Sequence, residues 1–122
     1  MRMMVLAPLL AVLSMATAHA DGVTDEIAHL IGFVRASSCT FIRNGSEYTG
    51  GEAADHVQAK YDYYRDEIKT VDDFIEKAAS RSVMSGDPYE VRCAGKTMPA
   101  ADWIRAEDER YRKSHSDDTN SE

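Results

Sequence analysis

The chain has 122 residues, with 21 acidic against 14 basic side chains for a formal net charge of −7, and two cysteines, Cys39 and Cys93. This length supports one domain with one modest core, and the acidic balance repels polyanions on average, which argues against nucleic acid as a partner. The cysteines are too far apart for a CxxC redox motif and show no metal-ligand spacing.

Residues 1–20 read as a secretory signal peptide: a positive start at Arg2, an apolar run from Met3 to Met15, and small residues at Ala18-His19-Ala20. The run is too short to span a bilayer comfortably, and Asp21-Gly22 follows it without a basic stop-transfer flank, so cleavage after Ala20 is expected and leaves no membrane anchor. The mature protein would comprise a single domain over 21–113 and a polar tail over 114–122, more acidic than the precursor by the loss of Arg2. Export places Cys39 and Cys93 in an oxidising space, where a disulfide is expected. Closing so long a loop restricts the unfolded chain by roughly 4 kcal/mol.

Thr24 can cap a first helix in which Asp25 and Glu26 favour the positive end of the dipole and Ile27, Leu30, Ile31 and Val34 form an inward stripe. Cys39-Thr40-Phe41-Ile42 favours a strand, Asn44-Gly45 is a strong hairpin signal, and Ser46-Glu47-Tyr48 forms the return strand. Thr49-Gly50-Gly51-Glu52 has capping-box spacing and opens a second helix with Ala53, Val57, Tyr61, Tyr64 and Ile68 inward. Thr70 caps a third, with Val71, Phe74, Ile75, Ala78 and Ala79 as its buried side.

Residues 82–88 form a loop by composition. Tyr89 to Cys93 is the next strand, Ala94-Gly95 turns it into Lys96-Thr97-Met98, and Pro99 suits the first turn of a last helix anchored by Trp103, Ile104 and Tyr111. From Ser114 the chain offers nothing apolar to bury and reads as disordered. The fold class is therefore α+β, a small antiparallel sheet from two hairpins packed with about four helices. Ala53-Ala54-Asp55 through Tyr64-Arg65 echoes Ala100-Ala101-Asp102 through Tyr111-Arg112, and each copy follows a hairpin, the pattern of a duplicated αββα unit.

Cys39-Thr40-Phe41-Ile42-Arg43-Asn44-Gly45, with Tyr48, Glu52-Ala53-Ala54, His56 and Lys60, and later Ser82, Ser85-Gly86, Pro88-Tyr89 and Cys93, resembles the YfeK-like family of small bacterial exported proteins. The resemblance runs from about Glu26 to about Tyr111. It implies a periplasmic protein with an intrachain cysteine pair, and it brings no activity with it.

Chemistry must then be weighed on the residues themselves. Helical spacing puts Glu52, His56 and Lys60 on one side of the second helix, with Tyr63 nearby, a cluster suited to an anion or a polar rim. Arg43 and Arg92 both precede a hairpin turn and, projecting together, would clamp a carboxylate or phosphate. Arg43, His56, Lys60 and Arg92 are thus the candidate binding residues, with salt bridging to the many carboxylates as the plain alternative. A hydrolase or lyase would use His56 with Ser82 or Ser85, but the sequence has no GxSxG elbow, cofactor motif or metal-ligand cluster. The expected function is a non-catalytic binding module of the cell envelope, its partner another envelope protein or a small anionic ligand. A structural envelope protein without a discrete ligand is the third reading.

Overall fold

The computed structural model describes residues 18–120, with side chains from 22 to 116, so the expected signal peptide lies largely outside the described residues. Helix α1 (Ala18–Ala36) turns Ile27, Leu30, Ile31 and Val34 into the core, as their spacing requires. It starts upstream of Thr24, which is therefore an interior residue and not the cap. Gly22 alone does not stop the helix, since one glycine costs about 1 kcal/mol and propagation continues once a turn exists.

Strands β1 (Thr40–Arg43), β2 (Ser46–Tyr48), β3 (Glu90–Cys93) and β4 (Lys96–Pro99) make one antiparallel sheet in the order β2-β1-β3-β4. Each hairpin closes through two residues in the left-handed region, Asn44-Gly45 at φ 51° and 79° and Ala94-Gly95 at the same angles. Asparagine and glycine tolerate this region, whereas Ala94 carries roughly 1–2 kcal/mol of strain. The central ladder pairs Thr40 with Arg92, Phe41 with Val91 and Ile42 with Glu90. Side chains alternate faces along a strand, so Cys39, Phe41 and Arg43 share one face with Tyr89, Val91 and Cys93. Phe41 and Val91 are buried there beneath the helices.

The Cys39–Cys93 disulfide joins the two hairpins one step beyond the Thr40–Arg92 pair, with Cα atoms 4.8 Å apart. The two halves of the domain are thus stapled across the central strands. Strand order, turn geometry and helix starts are symmetric about the β1–β3 ladder, with Gly50 and Ala100 each opening a helix five residues after the turn glycine, whereas the Ala-Ala-Asp sequence echo is offset from that correspondence by three residues.

Helix α2 (Gly50–Tyr63) opens on the Thr49–Glu52 capping box, and Gly50 is required at its first position. A Cβ there would lie 2.5 Å from the Val34 carbonyl oxygen and 2.6 Å from that of Ser37, because the end of α1 abuts the start of α2. The helix stops at Tyr63, short of the Ile68 that the apolar spacing suggests, and a 3-10 turn over Arg65–Glu67 follows. Asp73 accounts for the break: its carboxylate accepts from the Lys69 and Thr70 N–H groups and so fixes the entry to α3 (Val71–Ala78). Ile68 is still buried, from an extended backbone.

Helix α4 (Ala100–Asn120) packs Ile104 and Trp103 against the core and continues past Ser114, where the composition suggests disorder. No proline or glycine interrupts it, and Tyr111 and His115 stack one turn apart with ring centroids 3.9 Å from each other. Among the described residues no helix is long and apolar enough to cross a membrane.

Candidate functional site

Strand parity decides which charged side chains can meet. Arg43 lies on the Phe41 face of β1, under the helices, while Arg92 lies one residue from Val91 and projects from the opposite face. The expected Arg43–Arg92 clamp therefore does not form. Arg92 instead donates to Glu47 at 2.9 Å across the outer face, the salt-bridge alternative.

Arg43 meets the second helix. The capping box sets the rotation of α2 so that Ala54 and Val57 are buried, which leaves His56 and Lys60, one turn apart, along the edge of the buried face beside β1. Arg43 Nη1 donates to His56 Nδ1 at 2.9 Å and lies 3.2 Å from Nε2, and Nη2 donates to the Tyr48 hydroxyl at 3.2 Å. His56 Nε2 is 2.9 Å from the Tyr89 hydroxyl, and Lys60 Nζ donates to the same hydroxyl at 3.0 Å and to the Arg81 carbonyl at 2.9 Å. Arg43, His56 and Lys60 are thus brought together. Tyr89 joins them from the residue before β3.

A guanidinium only donates, so the closer ring nitrogen, Nδ1, is assigned as its acceptor, and in that tautomer Nε2 carries the proton toward Tyr89. The Tyr89 oxygen then accepts twice, and its own O–H is a donor left over. Desolvation, and then the charges of Arg43 and Lys60, hold the His56 imidazolium below its usual pKa of 6.5. Burial and Arg43 likewise lower Lys60, and burial raises Tyr89. Tyr48 is lowered by its bond from Arg43. The cluster is a set of converging donors around a neutral imidazole, and its charge excess is positive.

Beneath this rim lies a half-open cavity of about 190 Å³. Arg43, Tyr48, His56 and Tyr89 line its polar side, the exposed Glu52 and Glu90 stand at its edge, and Val34, Phe41, Ala53, Val57, Ala100 and Ile104 contribute apolar wall. A second groove, of about 370 Å³ along Ser37–Thr40 and Glu47–Glu52, holds two glutamates and no basic side chain. Among the described residues no group of three His, Cys, Asp or Glu side chains is placed to hold a metal ion.

Other sequence candidates fall elsewhere. Glu52 is the α2 capping residue, and Tyr63 is exposed against Tyr64, away from the cluster. Ser82 and Ser85 do not reach His56 as hydrogen-bond partners: Asn44 Nδ2 donates to Ser82 Oγ at 3.2 Å, and Ser85 Oγ donates to Asn44 Oδ1 at 2.6 Å. The serines latch their loop onto the first hairpin turn. Sequence reasoning missed Tyr48 and Tyr89 as site residues, although a tyrosine at two residues from a buried strand position carries the parity signal that would have found Tyr89.

A search of solved structures returns no match. The chain is similar to the uncharacterized protein YfeK of Salmonella typhimurium, at 37% identity over 62 residues, and the match spans about half the length of each protein, 51% of this chain and 52% of the relative. The sequence model of DUF5329, a family of unknown function, matches residues 21–112, which is most of the chain and all of the elements that build the cluster. The chain belongs to the DUF5329 family.

Proposed function

We propose that this protein is an exported, periplasmic binding module that captures an anionic group at Arg43, His56, Lys60 and Tyr89 and performs no chemistry on it. One observation carries the reading. Among the described residues every arginine but Arg43 and the exposed Arg81 pairs with a carboxylate, namely Arg35, Arg65, Arg92, Arg105, Arg110 and Arg112. Arg43 and Lys60, both half-buried in a strongly acidic protein, bond only neutral groups among the described residues.

Leaving two partly desolvated cations without a paired carboxylate is costly, and an incoming anion supplies a charge in direct contact. Catalysis by His56 with Ser82 or Ser85 is disfavoured, because Asn44 engages both hydroxyls and a guanidinium occupies the imidazole's accepting nitrogen. The disulfide supports an oxidising compartment, and the family match begins at Asp21, the first residue after the expected cleavage point.

Isothermal calorimetry with acetate, inorganic phosphate and hexanoate tests the reading on the oxidised protein. At least one of these anions should bind the native chain, with binding lost in a variant carrying Arg43→Gln and Lys60→Gln. Binding of equal strength to native and variant protein would place the anion elsewhere and overturn the assignment.

A further inference from the structure

The cations do not stand alone. Their rim is continuous with a cavity whose walls are mostly carbon, and that continuity constrains the rest of the ligand as well as its charge. A polar or multiply charged body would leave its hydrogen-bonding groups facing Val34, Phe41, Val57 and Ile104 without partners. Water gains little there for the same reason. The volume also sets a size: an apolar cavity of roughly 150 Å³ accepts a benzene ring, and this one is about 190 Å³. One ring or a short acyl chain fills it, whereas a long chain or a fused polycycle does not.

The head group follows from the donors. Arg43 presents a planar fork of five N–H groups, of which one on Nη1 goes to His56 and one on Nη2 to Tyr48, so a few N–H donors remain for a ligand, and the spare Tyr89 O–H adds one more. A planar monoanion matches that supply. A phosphate dianion brings more acceptor oxygens and a heavier desolvation cost into a site with one neutral imidazole and a half-buried lysine.

We infer that the ligand is a monocarboxylate with a compact apolar body, a single aromatic ring or a short acyl chain, its carboxylate on Arg43 and Tyr89 and its body in the cavity. This inference rests on the anion-binding reading above, and its test separates the two. Affinities of the oxidised full-length exported protein for benzoate, hexanoate, acetate, inorganic phosphate and benzyl alcohol would be measured by calorimetry, with Arg43→Gln removing the charge and Ala53→Leu filling the cavity from its half-buried wall.

Benzoate or hexanoate should bind at least tenfold more tightly than acetate and phosphate. Ala53→Leu should erase that preference while keeping the weak binding of acetate, and Arg43→Gln should weaken the carboxylates at least tenfold. Acetate or phosphate binding as tightly as benzoate, unaffected by Ala53→Leu, would overturn the ligand class and leave anion binding standing. Benzyl alcohol binding as tightly as benzoate, insensitive to Arg43→Gln, would overturn both, as would no binding by any probe. Amide NMR spectra of the two variants, with the disulfide intact, show that a loss of binding is not a loss of fold.

Discussion

The His56 cluster and the seam between α1 and α4 use the same kinds of side chain to opposite ends. In the seam, His29 bonds Glu107 at 2.6 Å, Arg110 bonds Glu107 at 2.9 Å, and Arg112 holds both Glu26 at 2.8 Å and Asp108 at 3.2 Å. Acid and base answer each other there, and the excess carboxylate is handled by a proton: desolvation, with Glu26 as hydrogen-bond partner and neighbouring charge, pushes Asp108 up to about 7. At the His56 cluster no carboxylate among the described residues pairs with Arg43 or Lys60, Glu52 and Glu90 standing only at the cavity edge, and the same device works in reverse, with the imidazole kept neutral. A compensated cluster closes an interface between helices. An uncompensated one waits for a charge from outside.

The largest expected effect falls on both regions together. Replacing Cys39 and Cys93 by serine removes the staple at one end of the β1–β3 ladder, whose other end carries Arg43 and Tyr89, and should cost about 4 kcal/mol by denaturant unfolding. A change below about 1 kcal/mol would mean that the ladder is held by the core alone.

Two arginine substitutions then contrast the regions directly. Arg112→Gln leaves Glu26 and Asp108 half-answered in a buried seam and should destabilise by about 1–2 kcal/mol, discounted for the exposure of Arg112 itself. Arg43→Gln should stay within about 1 kcal/mol, because relief of repulsion on Lys60 and His56 offsets its lost hydrogen bonds. Equal losses in the two variants would erase the distinction between a structural and a ligand-directed cluster.

Asp108 gives a smaller, pH-dependent effect. Folding holds a proton on this carboxyl up to about 7, whereas the unfolded chain releases it near 3.8, so the group's contribution to stability falls as pH rises between those values. Glu26 is lowered from 4.5 and acts in the opposite sense, its contribution being lost on acidification. Asp108→Asn should therefore raise the melting temperature at pH 8 relative to the native protein and change it little at pH 5. The native protein and the variant melting in parallel across that range would show that Asp108 carries no proton.

How much of this could be read from the sequence follows from the range of the interactions. The caps at Thr49–Glu52 and Thr70–Asp73 and the turns at Asn44-Gly45 and Ala94-Gly95 rest on neighbours along the chain, and all four stand where local chemistry puts them. The site depended on which strands pair and in what register. His56, Lys60 and Arg43 were recognisable as a basic set, but Tyr89 enters only once β3 lies against β1, and Arg92 leaves for the same reason. Glu26 and Asp108 were invisible as a pair because nothing local says that α1 and α4 meet there. Helix ends also escaped: Thr24 has cap chemistry but sits inside α1, and residues 114–120 have tail composition but lack any residue that stops a helix.

The most direct measurement is the titration of the His56 imidazole by NMR in the oxidised protein, without and then with hexanoate. Two uncompensated cations beside a partly desolvated ring require it to titrate below 6.5 in the free protein and to move upward when a carboxylate binds. A His56 that titrates at or above 6.5 without ligand, or that is indifferent to the anion, would contradict the assignment of this cluster as a binding site.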